Sequence, residues 1–387
     1  MVVINNVIRE GMRENIIIGF DAKRLVRNGT GLGNYGRTLV NDLVAGSGDG
    51  WQFRLYAPDE GNAGLRAKVC TSPKLTFAYP QATLGIQRSL WRIGKGIIRD
   101  MQRDGVQLYH GLTGELPRGL RQSGIKGVVT IHDLIFLRYP EYYHWLDAKL
   151  YAWKFRYTCH EADRIIAISE RTKQDVIELG GVSADRIDVI YQSCNPRFTQ
   201  QLNEEQLLKV QAKYGLPQRF ILSVGTIERR KNLLLAVRAL AGLPNDIHLV
   251  AVGKQTKYVK EFPESERVHL LSGVTDEELM ALYQQAEVFV YPSRYEGFGI
   301  PIIEAIHSGL PVVGCTGSCL EEAGGPDNIY VAPGDVLGMA NAIRRSLIGS
   351  AHREARIQRS QTYVQRFAGT DVAGQVYQLY HQILSRS

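Results

Sequence analysis

The sequence predicts an α/β protein of two doubly wound, Rossmann-like domains with a cleft between them, and three observations carry this prediction. Short apolar runs alternate with helical segments twice along the chain, which is typical of parallel sheets covered by helices. A polar stretch with a helical middle and no strand, residues 196–217, separates the two series. The chain has 387 residues, 44% of them hydrophobic, which is enough for two cores.

The first domain, residues 1–195, begins its alternation with the apolar run "IIIGF". A helix "NYGRTLVNDLVAG" follows, with apolar residues on one face. Further strands are predicted at "FRLYA", "QLYHG", "GVVTIHDL", "DRIIAIS" and "DRIDVIYQ". Ser169 ends "DRIIAIS" and is placed to cap the helix "ERTKQDVIELGG".

The second domain, residues 218–369, starts afresh at the strand "RFILSVGT". Predicted helices are "KNLLLAVRALAGL", "TDEELMALYQQAE" and residues 301–308, and predicted strands are "IHLVAVG", "VHLLSG", "VFVYPS", "LPVVG" and "NIYVA". Ligands of doubly wound sheets bind beyond the carboxyl ends of the strands. The loops that follow strands, facing a cleft between the domains, are therefore where a site is expected.

Charge and composition favour some classes of binding partner and cellular location over others. The net charge is +7, and residues 1–195 carry 26 Lys and Arg against 20 Asp and Glu, which favours an anionic partner. Nucleic acid ranks last, because no basic stretch is interleaved with aromatic residues. Five scattered cysteines, the lack of ~18 consecutive apolar residues and a start without a signal peptide indicate a cytoplasmic protein with reduced thiols.

Two loops of the first domain carry candidate site residues. The stretch "DAKRLVRNGTGLGNYGR" places Gly31 and Gly33 at the start of a helix, where backbone N–H groups can approach an anion. A flexible loop with an ordinary helix cap explains it equally well. His132 and His110 each follow a predicted strand, where an imidazole can bond sugar hydroxyls. A purely structural histidine remains the alternative for both.

The loop "SVGTIERRKNL" of the second domain brings Arg229, Arg230 and Lys231 to the entry of a helix. Cations there oppose the helix dipole. The arrangement is favourable if a diphosphate lies between them and accepts hydrogen bonds from all three. A solvated charge cluster is the alternative interpretation.

The stretch "SRYEGFGIPIIEAIHSGLPVV" places Glu296 and Glu304 eight positions apart. Pro301 suits the first position of a helix, which would put Glu304 in the first turn. The backbone N–H groups of Phe298 and Gly299 would then be available to ligand oxygens.

These motifs together resemble the retaining glycosyltransferases of family 4, which have the GT-B architecture. The resemblance rests on "EGFGIPIIEA", "VGTIERRKN", "TIHDL" and "GTGLGNYGR", which occur in the family's order across nearly the whole chain. It implies that the C-terminal helix, residues 370–387, crosses back onto the first domain. Two other classes share the βα pattern: a GT-B sugar-nucleotide epimerase, and an NAD-dependent oxidoreductase, which would need a tighter glycine fingerprint.

The resemblance also implies roles for individual residues. The implied catalytic residues are His132, Lys231 and Glu296. The implied donor-binding residues are Gly31, Gly33, Thr226, Arg230, Lys231, Gly297, Phe298, Gly299 and Glu304. Sugar hydroxyls would be held by Glu296 and its loop, the ribose by Glu304, and the diphosphate by Lys231. Thr226 stands where many members have an arginine, which leaves open whether Arg229 or Arg230 binds phosphate.

The chemistry that the resemblance implies is front-side displacement with retention. A nucleotide diphosphate sugar is the co-substrate, no other cofactor is expected, and no metal is expected since the chain lacks D-x-D. The motifs are most like mannosyl-type members, which favours GDP-mannose. The acceptor would be a glycan or a lipid-linked oligosaccharide in cell-surface polysaccharide synthesis.

Residues 84–105 predict a basic amphipathic helix. Arg88, Arg92, Lys95, Arg99 and Arg103 form one stripe, and Ile86, Leu90, Ile93, Ile97 and Met101 form another. A surface helix with its apolar side in the core is one interpretation. The other is peripheral contact with an acidic membrane at the inner membrane face, or with a lipid-linked acceptor.

Overall fold

The computed structural model describes residues 15–81, 84–367 and 371–385. The predicted lack of a signal peptide concerns residues 1–14, which lie outside the described residues. No helix within the described ranges combines the length and apolar character needed to cross a bilayer. The five cysteines lie within the described residues, and none of them is paired with another.

The first sheet has seven parallel strands in the order β3-β2-β1-β4-β5-β6-β7. Its strands are β1 (Ile16–Asp21), β2 (Trp51–Tyr56), β3 (Leu75–Ala78), β4 (Leu108–Gly111), β5 (Lys126–Ile131), β6 (Arg164–Ala167) and β7 (Ile187–Val189). The helices of this part are α1 (Lys23–Arg27), α2 (Gly31–Gly46), α3 (Ala63–Arg66), α4 (Gly85–Ile93), α5 (Lys95–Arg103), α6 (Ile135–Arg138), α7 (Trp145–Glu161) and α8 (Glu170–Gly180).

The second sheet has six parallel strands in the order β10-β9-β8-β11-β12-β13. Its strands are β8 (Phe220–Val224), β9 (His248–Val252), β10 (Val268–Leu271), β11 (Val288–Tyr291), β12 (Val312–Cys315) and β13 (Ile329–Val331). The remaining helices are α9 (Glu204–Tyr214), α10 (Leu233–Ala239), α11 (Asp276–Gln285), α12 (Ile300–His307), α13 (Leu320–Gly324), α14 (Val336–Arg344), α15 (Arg353–Val364) and α16 (Val372–Leu384). Two doubly wound parallel sheets are thus confirmed.

The inner strands β4, β11 and β12 are fully buried, as expected where helices cover both faces of a parallel sheet. The last helix, α16, packs on the first sheet rather than the second. Its residues Val376, Leu379 and Tyr380 belong to the same apolar cluster as Phe20 and Leu43. Helix α9, in the middle of residues 196–217, instead packs its buried side on the second domain.

The predicted single helix over residues 84–105 is wrong. The chain is extended at Gly94, between α4 and α5, so the two halves have different faces inward. Ile97 and Met101 of α5 are buried, as in an ordinary surface helix. In α4 the faces are exchanged: Arg92 is buried, whereas Leu90 is exposed. Glycine's low helix propensity explains the break.

Two local predictions have different outcomes. Ser169 caps α8, since its Oγ accepts a hydrogen bond from the N–H of Thr172. Glu304 does not lie in the first turn of α12, because that helix begins at Ile300 and places Pro301 second. A carboxylate at the fifth position gains little from the helix dipole, which acts over the terminal turn.

Candidate active site

Loops after β8 and β11 bring the cations of the second domain together with Glu296. The Nζ atom of Lys231 lies 2.6 Å from Oε1 of Glu296, and Nη1 of Arg230 lies 2.9 Å from Oε2. Arg230 also pairs with Glu228 at 2.8 Å. The three central side chains are less than a fifth exposed, so these ion pairs are shielded from water.

The mutual charges decide the protonation of this cluster. Burial by itself would raise the pKa of Glu296, but the charges of Lys231 and Arg230 lower it below its ordinary value. Burial would lower the pKa of Lys231, and the charge of Glu296 raises it above its ordinary value. The cluster therefore holds two cations and a carboxylate that are all ionised at neutral pH.

Arg229 does not take part in this cluster. Its Nη2 atom pairs with Glu261 at 2.7 Å, and the side chain is largely exposed. Residues Arg229–Lys231 form a single 3-10 turn, in which successive side chains point in different directions. Arg230 alone of the two arginines lies beside Lys231 and Glu296.

Gly225 and Thr226, which directly follow β8, line a small cavity into which Lys231 also extends. Gly225 has a φ of +135°, which only glycine adopts readily. A Cβ there would be 3.5 Å from Cε of Lys231. Thr226 lines the same small cavity, together with Tyr291, whose hydroxyl accepts a hydrogen bond from Lys231 at 2.5 Å.

The loop after Glu296 is docked against the first domain. A Cβ on Gly297 would lie 1.8 Å from the carbonyl oxygen of His132. The carbonyl of Gly297 accepts hydrogen bonds from Ser169 at 2.7 Å and from Thr172 at 3.2 Å. Residue 297 must therefore be glycine for the two domains to meet in this way.

The next two residues keep their N–H groups available. Neither Phe298 nor Gly299 donates its backbone N–H to an acceptor within the described ranges. The ring of Phe298 is buried and packs on Tyr191 and Phe367, which fixes the loop. Gly299 immediately precedes α12, so both N–H groups lie at the positive end of that helix.

Glu304 lies apart from the ion-pair cluster. Its Oε2 accepts a hydrogen bond from the hydroxyl of Tyr283 at 3.0 Å. Burial raises the pKa of Glu304 to about 7, and the hydrogen bond only partly offsets this effect. Its carboxyl group is thus poised between the neutral and the ionised form near pH 7.

His132 lies at the end of β5, against the Gly297 loop. Its Nε2–H donates to the carbonyl of Leu112 at 2.9 Å, and its Nδ1 accepts from the amide of Gln192 at 3.1 Å. Burial lowers the pKa of His132 to about 4, so the ring is neutral. Tyr35 contacts the ring edge-on at 4.7 Å between centroids.

His110, the other strand-end histidine, has a structural role. It is fully buried and bonds Tyr380 of α16 at 2.6 Å and Thr130 at 2.8 Å. Thr130 in turn lies 3.2 Å from the hydroxyl of Tyr35, which packs on His132. A chain of buried polar contacts thus joins the C-terminal helix to the histidine of the cleft.

The two glycines of the first domain differ. A Cβ on Gly33 would lie 1.9 Å from the carbonyl oxygen of Asn28, so this glycine allows α2 to pack closely on the preceding loop. Gly31 is the first residue of α2, and a Cβ there would meet nothing within 4 Å. Packing explains Gly33, whereas Gly31 has no structural neighbour that requires glycine.

Several contacts at the cleft were not found from the sequence. The carboxylate of Glu322 accepts hydrogen bonds from the N–H groups of Glu170 and Arg171, at the start of α8. The hydroxyl of Tyr295 donates to Asp175 and accepts from Arg171. These groups join the domains and are far apart in sequence, so no local spacing marks them.

An open cavity of about 800 Å³ lies at the carboxyl ends of β2 and β3. Arg27, Asp59, Tyr79 and Arg88 are among its lining residues. Arg27 and Asp59 form an ion pair across it. Charged and aromatic side chains of this kind can bond and stack on a sugar.

Comparisons with known proteins agree with this architecture. A family model described as glycosyl transferases group 1 matches residues 206–363, and one described as glycosyltransferase family 4 matches residues 29–197. O-antigen chain mannosyltransferase B of Escherichia coli is 31% identical over 289 residues, which cover 70% of this chain and 74% of that protein. The serotype-specific mannosyltransferase WbdA of Escherichia coli is 29% identical over 60% of this chain, which corresponds to 30% of its own length.

Solved structures show the same fold. Sucrose-phosphate synthase from Thermosynechococcus elongatus has a TM-score of 0.78 at 22% identity, with 96% of this chain and 100% of that chain covered. Anabaena HepE in complex with UDP has a TM-score of 0.71 at 18% identity, with 95% and 100% covered. The chain belongs to the family 4 glycosyltransferases, which have the GT-B fold.

Proposed function

We propose that the protein is a retaining hexosyltransferase that moves mannose from GDP-mannose to a glycan or a lipid-linked oligosaccharide in cell-surface polysaccharide synthesis. The observation that carries the proposal is the shielded cluster of Lys231, Arg230 and Glu296 beside the free N–H groups of Phe298 and Gly299. Support for mannose comes from relatives named as mannosyltransferases, including the MMP α-(1→4)-mannosyltransferase of Mycolicibacterium hassiacum, which is 28% identical over 57% of this chain.

Lys231 and Arg230 are placed to neutralise a leaving diphosphate. Both side chains are ionised and held in place by their ion pairs. Preorganised charges of this kind stabilise the negative charge that develops on a leaving group in the transition state. Two fixed cations supply the charge that a metal ion supplies elsewhere, so the activity is proposed to need no metal. Glu296 and the N–H groups of its loop would accept and donate hydrogen bonds to sugar hydroxyls, and Glu304 would bond the ribose.

Displacement on one face of the sugar fits these residues. The bond between the anomeric carbon and the phosphate oxygen breaks, and the acceptor oxygen bonds to that carbon from the same side. The acceptor's proton passes to the departing phosphate oxygen. In this proposal Glu296 bonds the sugar hydroxyls and does not attack the anomeric carbon, so a covalent glycosyl-enzyme of the glycosidase type is not part of it.

The cavity at the carboxyl ends of β2 and β3 is the proposed acceptor side. Its lining residues all belong to the first domain. His132, neutral and buried at the end of β5, would line the sugar between the two. Family membership favours this reaction over the NAD-dependent oxidoreductase and the sugar-nucleotide epimerase.

The proposal is tested with purified protein, GDP-mannose, UDP-glucose and mannosyl acceptors, with and without a chelator. We expect GDP-mannose to be the better donor, chelator to have no effect, and NMR to show the α-configuration retained. Lys231→Ala should lower kcat/KM by at least about 10²-fold, whereas the exposed Lys209→Ala should not change it. Preference for a UDP-sugar would contradict the proposed donor, and an inverted product would contradict the retaining mechanism. An epimerised donor would contradict the proposed transfer reaction.

A further inference from the structure

The first domain exposes large apolar side chains on two helices, α4 and α7. Ile86 and Leu90 of α4 are 72% and 60% exposed, and Trp145 and Trp153 of α7 are 59% and 47% exposed. Leu146 and Leu150 of α7 are exposed as well, and spacings of four and three residues place them on the side of Trp153. We call these six side chains the apolar face. Grouped apolar side chains on a surface mark an interaction site.

One segment of the chain, which carries Glu115 and Arg118, contacts both helices. The N–H of Arg118 donates to the carbonyl of Ile93, the last residue of α4, at 3.0 Å. Its guanidinium lies 5.5 Å from the ring centroid of Trp153 in α7. Glu115 pairs with both Arg92 of α4 and Lys154 of α7. The C-terminal end of α4 and the Trp153–Lys154 part of α7 are therefore joined through this segment.

The exposure of α4 is built into the fold. Arg92 turns inward, where it pairs with Asp21 at 2.8 Å and with Glu115. A helix of this sequence would ordinarily bury its apolar side and expose its arginines. The buried carboxylate of Asp21 and the half-buried carboxylate of Glu115 reverse that orientation and hold Ile86 and Leu90 toward solvent.

Around the apolar face, exposed basic side chains outnumber the exposed carboxylate of Asp147 on α7. Lys95, Arg99 and Arg156 are exposed on the same helices or directly after them, and the Nζ of Lys149 lies 4.9 Å from the ring centroid of Trp145. Tryptophan and leucine with nearby lysine and arginine are typical of helices that lie in a membrane interface. We infer that the apolar face docks this protein on the surface of an anionic lipid bilayer.

A second copy of the chain fits the face less well, because it would bring two basic rims together. The orientation also has a consequence for the reaction. Arg92 anchors α4 to Asp21, which ends β1 at the edge of the cleft. The bilayer would thus lie beside the side of the cleft proposed for the acceptor, so a lipid-linked acceptor could enter from it. This last step rests on the proposed function, whereas docking does not.

Vesicle flotation tests the docking. We expect the protein to float with vesicles of phosphatidylethanolamine and phosphatidylglycerol, and to bind phosphatidylcholine vesicles at least about tenfold more weakly. The double variants Ile86→Ser/Leu90→Ser and Trp145→Ser/Trp153→Ser should each lower partitioning by about tenfold or more. Leu337→Ser/Ile348→Ser is the matched control, since both side chains are as exposed but lie in the second domain; it should bind like the wild type.

Wild-type protein that does not bind phosphatidylglycerol vesicles would overturn the inference, and so would face variants that bind these vesicles as well as the control. A third contrary result comes from sedimentation velocity without lipid: the wild type is a dimer, the face variants are monomers, and all of them bind vesicles equally. In that case the apolar face is an interface between two copies of the chain. Thermal stabilisation by GDP-mannose is measured on every variant. Loss of flotation with intact stabilisation concerns the apolar face, whereas a wild type that GDP-mannose does not stabilise would count against the proposed function instead.

Discussion

Replacing Gly297 by alanine should separate the Glu296 loop from the first domain. The added Cβ would lie 1.8 Å from the carbonyl oxygen of His132 and 3.2 Å from Cβ of Asp133. Real Cβ contacts are essentially never under 3.0 Å, so the loop or the end of β5 must move by about 1.2 Å or more. Both atoms in the clash belong to backbone, or directly adjoin it, so no side-chain rotation relieves it.

The size of the effect follows from that displacement. A shift of ~1 Å in a positioning element costs about 10²-fold in rate, and we expect kcat/KM to fall by at least that factor. The hydrogen bond from Ser169 to Gly297, 2.7 Å long, would also be lost. Overpacking of this kind costs about 1–3 kcal/mol of unfolding free energy.

The assay is initial-rate transfer from GDP-mannose, with thermal unfolding measured on the same samples. Gly48→Ala is the control, because a Cβ at that glycine meets nothing within 4 Å and its φ is ordinary. Small-angle scattering would report whether the variant opens the cleft. Wild-type rates and unfolding temperature for Gly297→Ala would show that the close approach of the two domains is not required, and would refute the reasoning.

Three further predictions concern the charged groups. Arg230→Ala should lower kcat/KM by at least about 10²-fold while Arg229→Ala changes it less than about threefold, because only Arg230 borders Glu296; equal effects would contradict the assignment. Burial raises the pKa of Glu304 to about 7, above its ordinary 4.5, so the folded state retains a proton that the unfolded state releases. Unfolding free energy should therefore decline by about 1–3 kcal/mol as pH rises from ~4.5 to ~7, and Glu304→Gln should remove that slope in urea titrations. Glu296→Gln should lower the unfolding free energy by about 3 kcal/mol, because it leaves two buried cations without their counter-charge. The variant should nevertheless bind GDP at least as tightly as the wild type in calorimetry. A Kd for GDP more than about tenfold above that of the wild type would contradict this prediction.

The regular part of the fold was predictable because βα alternation is a local property of the sequence. Strand β3 was missed, since its four residues at a sheet edge, three half-buried and one exposed, have no distinctive pattern. Helix α7 was missed because its apolar and charged residues lie all around it, in part on the exposed apolar face. The orientation of α4 could not be deduced, because Asp21 and Glu115, which bury Arg92, come from distant parts of the chain.

The site was predictable in its location but not in its contacts. Parallel strands end at one edge of a sheet, so the loops carrying Lys231 and Glu296 were expected at the same edge. They are neighbours because β8 and β11 are adjacent in the sheet. Their pairing was not predictable, since a charge in a sequence does not reveal its counter-ion. Nor could the sequence decide between the successive residues Arg229 and Arg230, because that choice depends on the direction of a single 3-10 turn.

The pairing of Glu296 with Lys231 and Arg230 explains how the proposed diphosphate site can be stable in the free protein. Two cations removed from water need a counter-charge, and without one they would cost several kcal/mol. Glu296 supplies that charge in the free protein. An arriving diphosphate would take its place on the cations, leaving the carboxylate free to accept hydrogen bonds from the sugar. The same side chain would thereby couple occupancy of the phosphate site to recognition of the sugar. Glu296→Gln affects the two roles in opposite directions. The neutral amide no longer competes with a diphosphate for the cations, and it no longer offers the sugar hydroxyls a charged acceptor.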